Sequence, residues 1–225
     1  MSDDPETARQ IAELALSELP LLVLDVDDVI LEFIRPFPVY LRSRGFELKF
    51  DSFALNGNIA DLATGERVDR QTVSRLVDGF FEVQHDWQEL AEDAAETIAG
   101  LAEAAEVVLL TAMPHRHRAT RRALLDRFQL PYPLVTTERA KGPAIKLLRG
   151  PHPRPVAFVD DMYYNLVSVR DTVEDAHLFH LMADTSVRPL MPPLPEGIVQ
   201  VDHWREAGPK IARALGIAPS RNQRP

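Results

Sequence analysis

Residues 21–31 read LLVLDVDDVIL, a stretch in which an apolar run stops abruptly at aspartate. Short runs of leucine and valine are typical of parallel strands that are buried on both faces of a sheet. Asp25 and Asp27 follow the run two positions apart, so their side chains project to the same side of an extended chain. The stretch therefore predicts a buried strand that delivers two carboxylates to one site.

Two further apolar runs have the same form. Residues 107–110 are followed by Thr111, and residues 156–159 are followed by Asp160. In an open parallel sheet, ligands bind at the edge formed by the carboxyl ends of the strands. We therefore predict that Asp25, Thr111 and Asp160 face one crevice.

The rest of the chain alternates between strand-like and helix-like patterns. Residues 177–182 and 198–201 are candidate strands, which brings the predicted sheet to about five strands. Helical periodicity is clearest in residues 88–105 and 118–128. This alternation predicts an α/β fold with a parallel sheet.

A long insertion separates the first two of these strands. The interval between Asp27 and Thr111 far exceeds the roughly 30 residues of a complete strand–helix–strand unit. Residues 68–84 have a helix-compatible pattern, and residues 53–58 resemble a loop. We therefore predict a small helical cap at residues 35–88.

The predicted cap divides the core in sequence. Residues 1–34 and 89–225 are assigned to one α/β core. Its proline-rich pieces, 151–155 and 189–195, are interpreted as loops because proline lacks the backbone N–H that helices and sheets need. The polar end of the chain, residues 219–225, is expected to be frayed.

The composition favours a soluble protein that acts on a small molecule. The chain has 225 residues, and 25 basic against 34 acidic side chains give a net charge of −9, which repels nucleic acid and anionic membranes. Without cysteine, neither a disulfide nor a cysteine metal site is possible. No signal peptide or membrane-spanning stretch is indicated. We expect a cytoplasmic protein that binds neither nucleic acid nor membrane, and the sequence leaves its oligomeric state open.

Two carboxylates in one site can divide the work of phosphoryl transfer. Asp25 can attack phosphorus as a nucleophile, while Asp27 moves a proton to or from the leaving oxygen. Asp160 and Asp161 add carboxylate oxygens, which are the hard ligands that Mg²⁺ accepts. Together these four aspartates predict an acidic Mg²⁺ site.

A phosphoryl group also needs donors that neutralise the charge on its oxygens. Thr111 and Lys141 suit this role. Lys141 opens the segment KGPAIKLL, where the start of a helix could add its dipole to phosphate binding. Lys146 lies inside the same predicted helix, where a lysine is usually exposed, so it is the less favoured candidate.

Four motifs occur in order along the chain: DVDDV at 25–29, LLTAMP at 109–114, KGP at 141–143 and FVDD at 158–161. This ordered set resembles the four motifs of the haloacid dehalogenase (HAD) superfamily, and in particular its phosphatases with a small cap after the first motif. The resemblance rests on the core and extends to the cap by position only.

The resemblance implies a Rossmann-like core with three layers and a Mg²⁺-dependent enzyme that hydrolyses small phosphate monoesters. Asp25 would form an aspartyl-phosphate, and Asp27 would act as general acid and base. Mg²⁺ would be bound by Asp25, the Asp27 carbonyl and Asp160. Thr111 and Lys141 would hold the phosphate. The cap would select the substrate, which the sequence does not identify.

Three residues in or beside these motifs each have more than one possible role. Asp28 stands where such phosphatases often have glycine, and it could reflect a tight turn, metal binding or a contact with the cap. Asp161 could bind the metal directly, support the ligands from behind or cap a helix. Asn165 could orient Asp161 or face solvent.

Two larger groups of side chains have competing explanations. Basic residues after Thr111 could extend a positive field towards a substrate, but a solvated helix face explains them better. They are His115, Arg116, His117, Arg118, Arg121 and Arg122. Aromatic residues of the cap could line a pocket, although a role in the cap's own core is favoured. They are Phe50, Phe53, Phe80, Phe81 and Trp87.

Three other functions share parts of this pattern. A haloacid dehalogenase uses an aspartate nucleophile without a metal or a second acid, so Asp27, Asp160 and Asp161 argue against it. A phosphomutase shares every motif and differs only in the fate of the aspartyl-phosphate. A catalytically silent binding protein could retain the fold, although an intact Asp25 and Asp27 argue against that reading.

Overall fold

The computed structural model describes residues 4–15, 17–151 and 153–218, so the predicted frayed tail at 219–225 lies outside the described residues. The strands are β1 Leu21–Leu24, β2 Phe46–Leu48, β3 Ile59–Asp61, β4 Glu106–Thr111, β5 Leu134–Thr136, β6 Val156–Asp160, β7 His177–His180 and β8 Ile198–Gln200. The α-helices are α1 Pro5–Ala12, α2 Pro36–Ser43, α3 Arg70–Glu82, α4 Ala94–Ala102, α5 Arg118–Arg127, α6 Lys141–Arg149, α7 Tyr163–Arg170 and α8 Trp204–Leu215. Short 3-10 helices span Gln84–Asp86, His115–His117 and Thr185–Leu190.

Six of these strands form one parallel sheet in the order β5-β4-β1-β6-β7-β8. Strand β1 alternates between two core clusters, with Leu22 and Leu24 on one face and Leu21 and Val23 on the other. Residues of α4, α5 and α8 cover the first face, and residues of α1, α6 and α7 cover the second. The predicted α/β fold with a three-layer, Rossmann-like core is therefore confirmed.

The five predicted strands are present, and β5 is a sixth that the sequence pattern does not indicate. Its three residues are too few to show a period. The helix predicted at 88–105 is shorter, since only Ala94–Ala102 is α-helical. Before it, Leu90 pairs with Leu31 in an isolated bridge. This bridge holds residues 84–93 in an irregular path beside the carboxyl end of β1.

The segment predicted as a cap has a hydrophobic cluster of its own, built around Phe37, Tyr40, Ile59 and Phe80. It contains two helices, α2 and α3, but also the antiparallel pair of strands β2 and β3. The prediction named helices only, because strands of three residues carry little periodic signal. Met113, from the loop after β4, also joins this cluster.

None of the described helices combines the length and the apolar composition needed to cross a membrane.

A close approach of two helices positions the start of α6. A Cβ added at Gly142 would overlap the main-chain carbonyl oxygen of Ser168 in α7 and the side-chain hydroxyl of Thr172 just after that helix. The Gly142 amide also donates a 3.1 Å hydrogen bond to the Ser168 hydroxyl. Because Gly142 follows Lys141 directly, this contact sets where that lysine lies.

We predict that Gly142→Ala destabilises the protein by about 1–3 kcal/mol, since backbone atoms must move to admit the methyl group. Urea unfolding measures the change. Gly79→Ala in α3 is the control, because its methyl group would meet only the side-chain hydroxyl of Tyr40 and gains helix propensity. Equal losses in the two variants would contradict the proposed close approach.

Candidate active site

Three buried carboxylates meet at the carboxyl ends of β1 and β6. Asp25, Asp160 and Asp161 can each place one oxygen within 4.8 Å of the others. The two strands are direct neighbours, and the amide of Asp25 donates a 2.9 Å hydrogen bond to the carbonyl of Val159. The structure thus brings together three of the aspartates that the sequence selected.

Lys141 lies between two of these carboxylates and is fully buried. Its Nζ is 2.5 Å from Asp25 Oδ1 and 2.6 Å from Asp160 Oδ2. Burial alone would lower the pKa of Lys141, but the two carboxylates outweigh it and raise the pKa above its usual value. The lysine is therefore charged, as phosphate binding requires. Lys146, the less favoured candidate, lies further along α6 and is exposed.

The acidic residues carry more negative charge than one lysine balances. Burial raises the pKa of Asp25 to about 7, against the effect of Lys141 and with that of Asp160 and Asp27. Burial, together with Asp160 and Asp25, raises the pKa of Asp161 well above its usual value. In both residues the effects of burial and of the neighbouring carboxylates exceed the opposing effect of Lys141.

Asp160 is oriented by donors on both of its oxygens. The amide of Met162 donates to Oδ1 at 2.7 Å, and the Asn165 side chain lies 3.1 and 3.2 Å from the two oxygens. Asn165 therefore supports Asp160, whereas the sequence suggested Asp161 or solvent as its partner. The main-chain carbonyl of Asp161 accepts a 2.8 Å hydrogen bond from His180.

The donors in this cluster suit a divalent metal ion. Carboxylate oxygens without cysteine or histidine favour a hard ion such as Mg²⁺. Asp25 Oδ1 is buried and makes no hydrogen bond within the described part of the chain, since its approach to Lys141 is an ion pair without hydrogen-bond geometry. A divalent ion held by the three carboxylates would add to the positive charge of Lys141 and lower the raised pKa values of Asp25 and Asp161. The residues present therefore fit the predicted metal.

The Asp27 side chain is not one of these three carboxylates and is held by Arg121. Arg121 Nη1 and Nη2 donate to the two Asp27 oxygens at 3.0 and 2.8 Å, in a bidentate pair. Gln88 donates to Asp27 Oδ1 at 2.9 Å, and the Thr111 hydroxyl donates to Oδ2 at 3.3 Å. Because the Asp27 side chain is occupied by these contacts, its main-chain carbonyl is the group that could bind the metal, as the sequence predicted.

The prediction that the basic residues after Thr111 form a solvated helix face is wrong for Arg121. Its side chain is fully buried, and Gln84 and Gln88 accept further hydrogen bonds from it. Arg121, Leu124 and Leu125 form the buried face of α5. Their spacing of three and four residues is the signal that could have placed this arginine inside.

Comparison with solved structures decides the fold family. YfnB of Bacillus subtilis, named as a HAD-hydrolase and solved bound to magnesium, superposes with a TM-score of 0.61 at 14% identity, covering 89% of this chain and 100% of YfnB. A predicted phosphoglycolate phosphatase from Haemophilus somnus gives a TM-score of 0.58 at 12% identity, covering 88% and 100%. The chain has the haloacid dehalogenase fold. No protein-family model matches it, and no curated protein matches it in sequence.

The backbone and the hydrogen bonds of Asp28 resolve its open assignment. Its backbone is left-handed, with φ of +55°, a region where glycine is favoured and aspartate is tolerated. Its Oδ1 accepts hydrogen bonds from the amides of Phe33 and Ile34 at 3.2 and 3.1 Å. Its carbonyl accepts a 2.6 Å hydrogen bond from Ala183. Asp28 therefore shapes the turn and ties it to the start of the inserted segment.

Two cavities differ in their relation to the acidic cluster of Asp25, Asp160 and Asp161. A groove of about 670 Å³ beside α5 is lined by residues such as Arg118 and Tyr132 and touches none of the predicted site residues. A smaller cavity of about 140 Å³ lies between the inserted segment and the core, and Asp161 forms part of its wall. The smaller cavity is the one connected to the site.

We predict that Arg121→Met destabilises the protein by about 2–4 kcal/mol, because it leaves the partly buried Asp27 carboxylate without its cation. Urea unfolding measures the loss, and adding Asp27→Asn to the same chain should recover part of it. Arg205→Met, which removes an exposed pair with Asp93, is the control and should change stability little. A similar effect of both arginine variants would contradict a buried clamp.

We predict that the metal-free protein loses stability as pH rises from about 4 to about 7. The folded state holds a proton on Asp25 in this range, whereas the unfolded chain with an ordinary carboxyl pKa of 3.8 has lost it, so higher pH favours unfolding. The difference in unfolding free energy between wild type and Asp25→Asn isolates this contribution.

Mg²⁺ should reverse the trend, because it binds the ionised carboxylates and displaces their protons. Its stabilising effect should therefore be larger at pH 8 than at pH 5. A wild-type stability that rises with pH relative to Asp25→Asn, without metal, would contradict the assignment of a raised pKa to Asp25.

Proposed function

We propose that the protein is a Mg²⁺-dependent phosphatase that hydrolyses a small phosphate monoester through an aspartyl-phosphate on Asp25. The observation that supports this most is the buried group of Asp25, Asp160 and Asp161 around the charged Lys141. Such a group would combine a nucleophile, a metal site and a phosphate-binding cation, since the carboxylate oxygens lie within 4.8 Å of one another and Lys141 contacts two of them. The hydrolase fold of the neighbours is consistent with it.

In the first step an Asp25 oxygen forms a bond to phosphorus, the ester P–O bond breaks, and the departing alcohol takes up a proton. Lys141 and Thr111 would stabilise the charge on the phosphoryl oxygens. In the second step water attacks phosphorus, loses a proton, and releases phosphate and the Asp25 carboxylate. Asp25, Asp160, Asp161 and the Asp27 carbonyl would hold Mg²⁺, which supplies positive charge to the phosphoryl oxygens.

Asp27 is proposed as the general acid and base. In the observed geometry both of its oxygens accept hydrogen bonds from Arg121, so it is arranged as a proton acceptor. That arrangement suits the second step, in which a base takes a proton from water. Delivery of a proton in the first step requires one contact with Arg121 or Thr111 to be released. Arg121 would thus control the timing of proton transfer.

Competing functions are less well supported by the site. A dehalogenase needs neither the Asp160 and Asp161 carboxylates nor the clamped Asp27. A phosphomutase would use the same residues and return the phosphoryl group to a second sugar hydroxyl. A silent binding protein would have no need for a nucleophile beside a buried, charged Lys141. We also propose a cytoplasmic location and a small phosphorylated metabolite as partner, with no nucleic acid or membrane.

We predict that 4-nitrophenyl phosphate is turned over only with Mg²⁺ and that Asp25→Asn lowers kcat on the order of 1,000-fold or more. Asp27→Asn should behave differently, because nitrophenolate is a good leaving group that needs no acid. Rapid mixing should show a burst of about one nitrophenolate per enzyme, followed by slow turnover as water attack lacks its base.

The matched control is Asp126→Asn, because Asp126 lies on α5 outside the acidic cluster and is exposed. It should keep the wild-type burst behaviour. If Asp25→Asn retained the wild-type rate, Asp25 would not be the nucleophile. If Asp27→Asn lost the burst together with turnover, Asp27 would act before the aspartyl-phosphate forms.

A further inference from the structure

The cavity beside Asp161 is lined mainly by apolar side chains. From the inserted segment come the side chains of Leu48, Phe50, Ser52, Phe53, Ala54 and Leu55, and from the core come Phe33, Ile34, Asp161, Met162 and Val187. Among these described lining residues, none carries a positive charge, and Ser52 and Asp161 alone are polar. A second phosphate or a carboxylate on the substrate would find no cation here and would face an aspartate.

The size of the cavity sets the size of its occupant. It encloses about 140 Å³. An engineered apolar cavity of about 150 Å³ in another protein accommodates benzene. The cavity therefore fits one ring or a short branched alkyl chain, with the phosphoryl group outside it at the acidic cluster.

The wall is held in place by polar contacts behind it. Asn58 is buried, and its side-chain Nδ2, which carries two hydrogens, lies 2.9 and 2.8 Å from the Ser52 carbonyl and hydroxyl oxygens and 2.8 Å from the Ala54 carbonyl oxygen. Arg67 joins the same loop through Asp51, the Gly57 carbonyl and Asn58. A pre-ordered wall reduces the entropy lost when a ligand binds.

Two aromatic residues of this wall are not part of the core cluster of the inserted segment. Phe80, Phe81 and Trp87 belong to that cluster or pack against it, as the sequence favoured. Phe50 and Phe53 line the cavity instead, and Phe50 is 45% exposed. A large apolar side chain that is left exposed beside a site is available to contact a ligand.

We propose that the substrate is a phosphate monoester of a small apolar alcohol, whose ring or branched alkyl group occupies this cavity. The proposal rests on the phosphatase function and adds the substrate class. It excludes sugar phosphates, nucleotides and esters with a second anionic group as preferred substrates, because each would place unpaired polar groups against an apolar wall.

The test compares two primary alkyl esters with similarly poor leaving groups, 3-methylbutyl phosphate and glycerol 3-phosphate, in the presence of Mg²⁺. Each methylene moved from water into an apolar pocket is worth about fourfold in affinity. We therefore expect kcat/KM for the alkyl ester to exceed that for the glycerol ester by about tenfold or more. 2-Phosphoglycolate, with its carboxylate, should be slower than the alkyl ester by a similar factor.

Phe53→Ser should lower the ratio of the two kcat/KM values by about fivefold, since it replaces an apolar wall by a hydroxyl. Phe53→Lys should shift preference towards 2-phosphoglycolate by supplying a cation. Leu62→Ala is the control, because Leu62 is 50% exposed on the same segment and does not line the cavity. It should leave the ratio within about twofold of wild type.

Binding of non-hydrolysable phosphonates separates this proposal from the function on which it rests. Calorimetry with Mg²⁺ should show 3-methylbutylphosphonate binding about tenfold more tightly than methylphosphonate, with a negative heat-capacity change. Turnover of esters without preference for the alkyl ester, and equal phosphonate affinities, would overturn the substrate class and leave the phosphatase function intact. If no ester is hydrolysed, the phosphatase function fails, and the phosphonate comparison alone decides whether the cavity binds apolar groups.

Discussion

The site depends on one buried cation held between two buried carboxylates. Lys141 lies between Asp25 and Asp160 at 2.5 and 2.6 Å, and all three are removed from water. A charge buried in this way is stable only if its partners are fixed in place. The close approach of α6 and α7 at Gly142 supplies that constraint, because no side chain separates the helix start from its neighbour. The packing of two helices therefore sets the electrostatics of the acidic cluster.

A second buried cation gives the two neighbouring aspartates different chemistry. Asp25 faces Lys141, whereas Asp27, two residues later, faces Arg121 in a bidentate pair. A lysine ammonium is a point charge that leaves carboxylate oxygens accessible, while the planar guanidinium occupies both oxygens of its partner. The proposed roles of Asp25 as nucleophile and of Asp27 as proton acceptor follow this difference. Lys141 at the start of α6 and Arg121 on α5 thus distinguish two aspartates that the motif DVD alone does not distinguish.

The inserted segment meets the acidic cluster in two places: at the turn formed by Asp28 and along the cavity that Asp161 lines. Asp28 accepts hydrogen bonds from the amides of Phe33 and Ile34, the last core residues before the inserted segment. Those same residues then line the cavity together with Asp161. A change in the position of the segment would therefore alter the turn that carries Asp25 and Asp27. One short stretch of backbone therefore carries Asp25, Asp27 and two of the residues that line the cavity.

The pattern of neighbouring residues was enough to predict the α/β core and the strand that precedes Asp25, and it showed the order of the four motifs. This is because an apolar run and the polar residue that ends it are adjacent in sequence. It was not enough for β5, for the strands of the inserted segment, or for Arg121, which looked like part of a solvated face. Asp27 meets Arg121 across 94 positions of sequence, and Asp25 and Asp160 share Lys141 from three separate elements. Such pairings cost desolvation energy that only the assembled fold can offset, so the tertiary structure decided which charges meet.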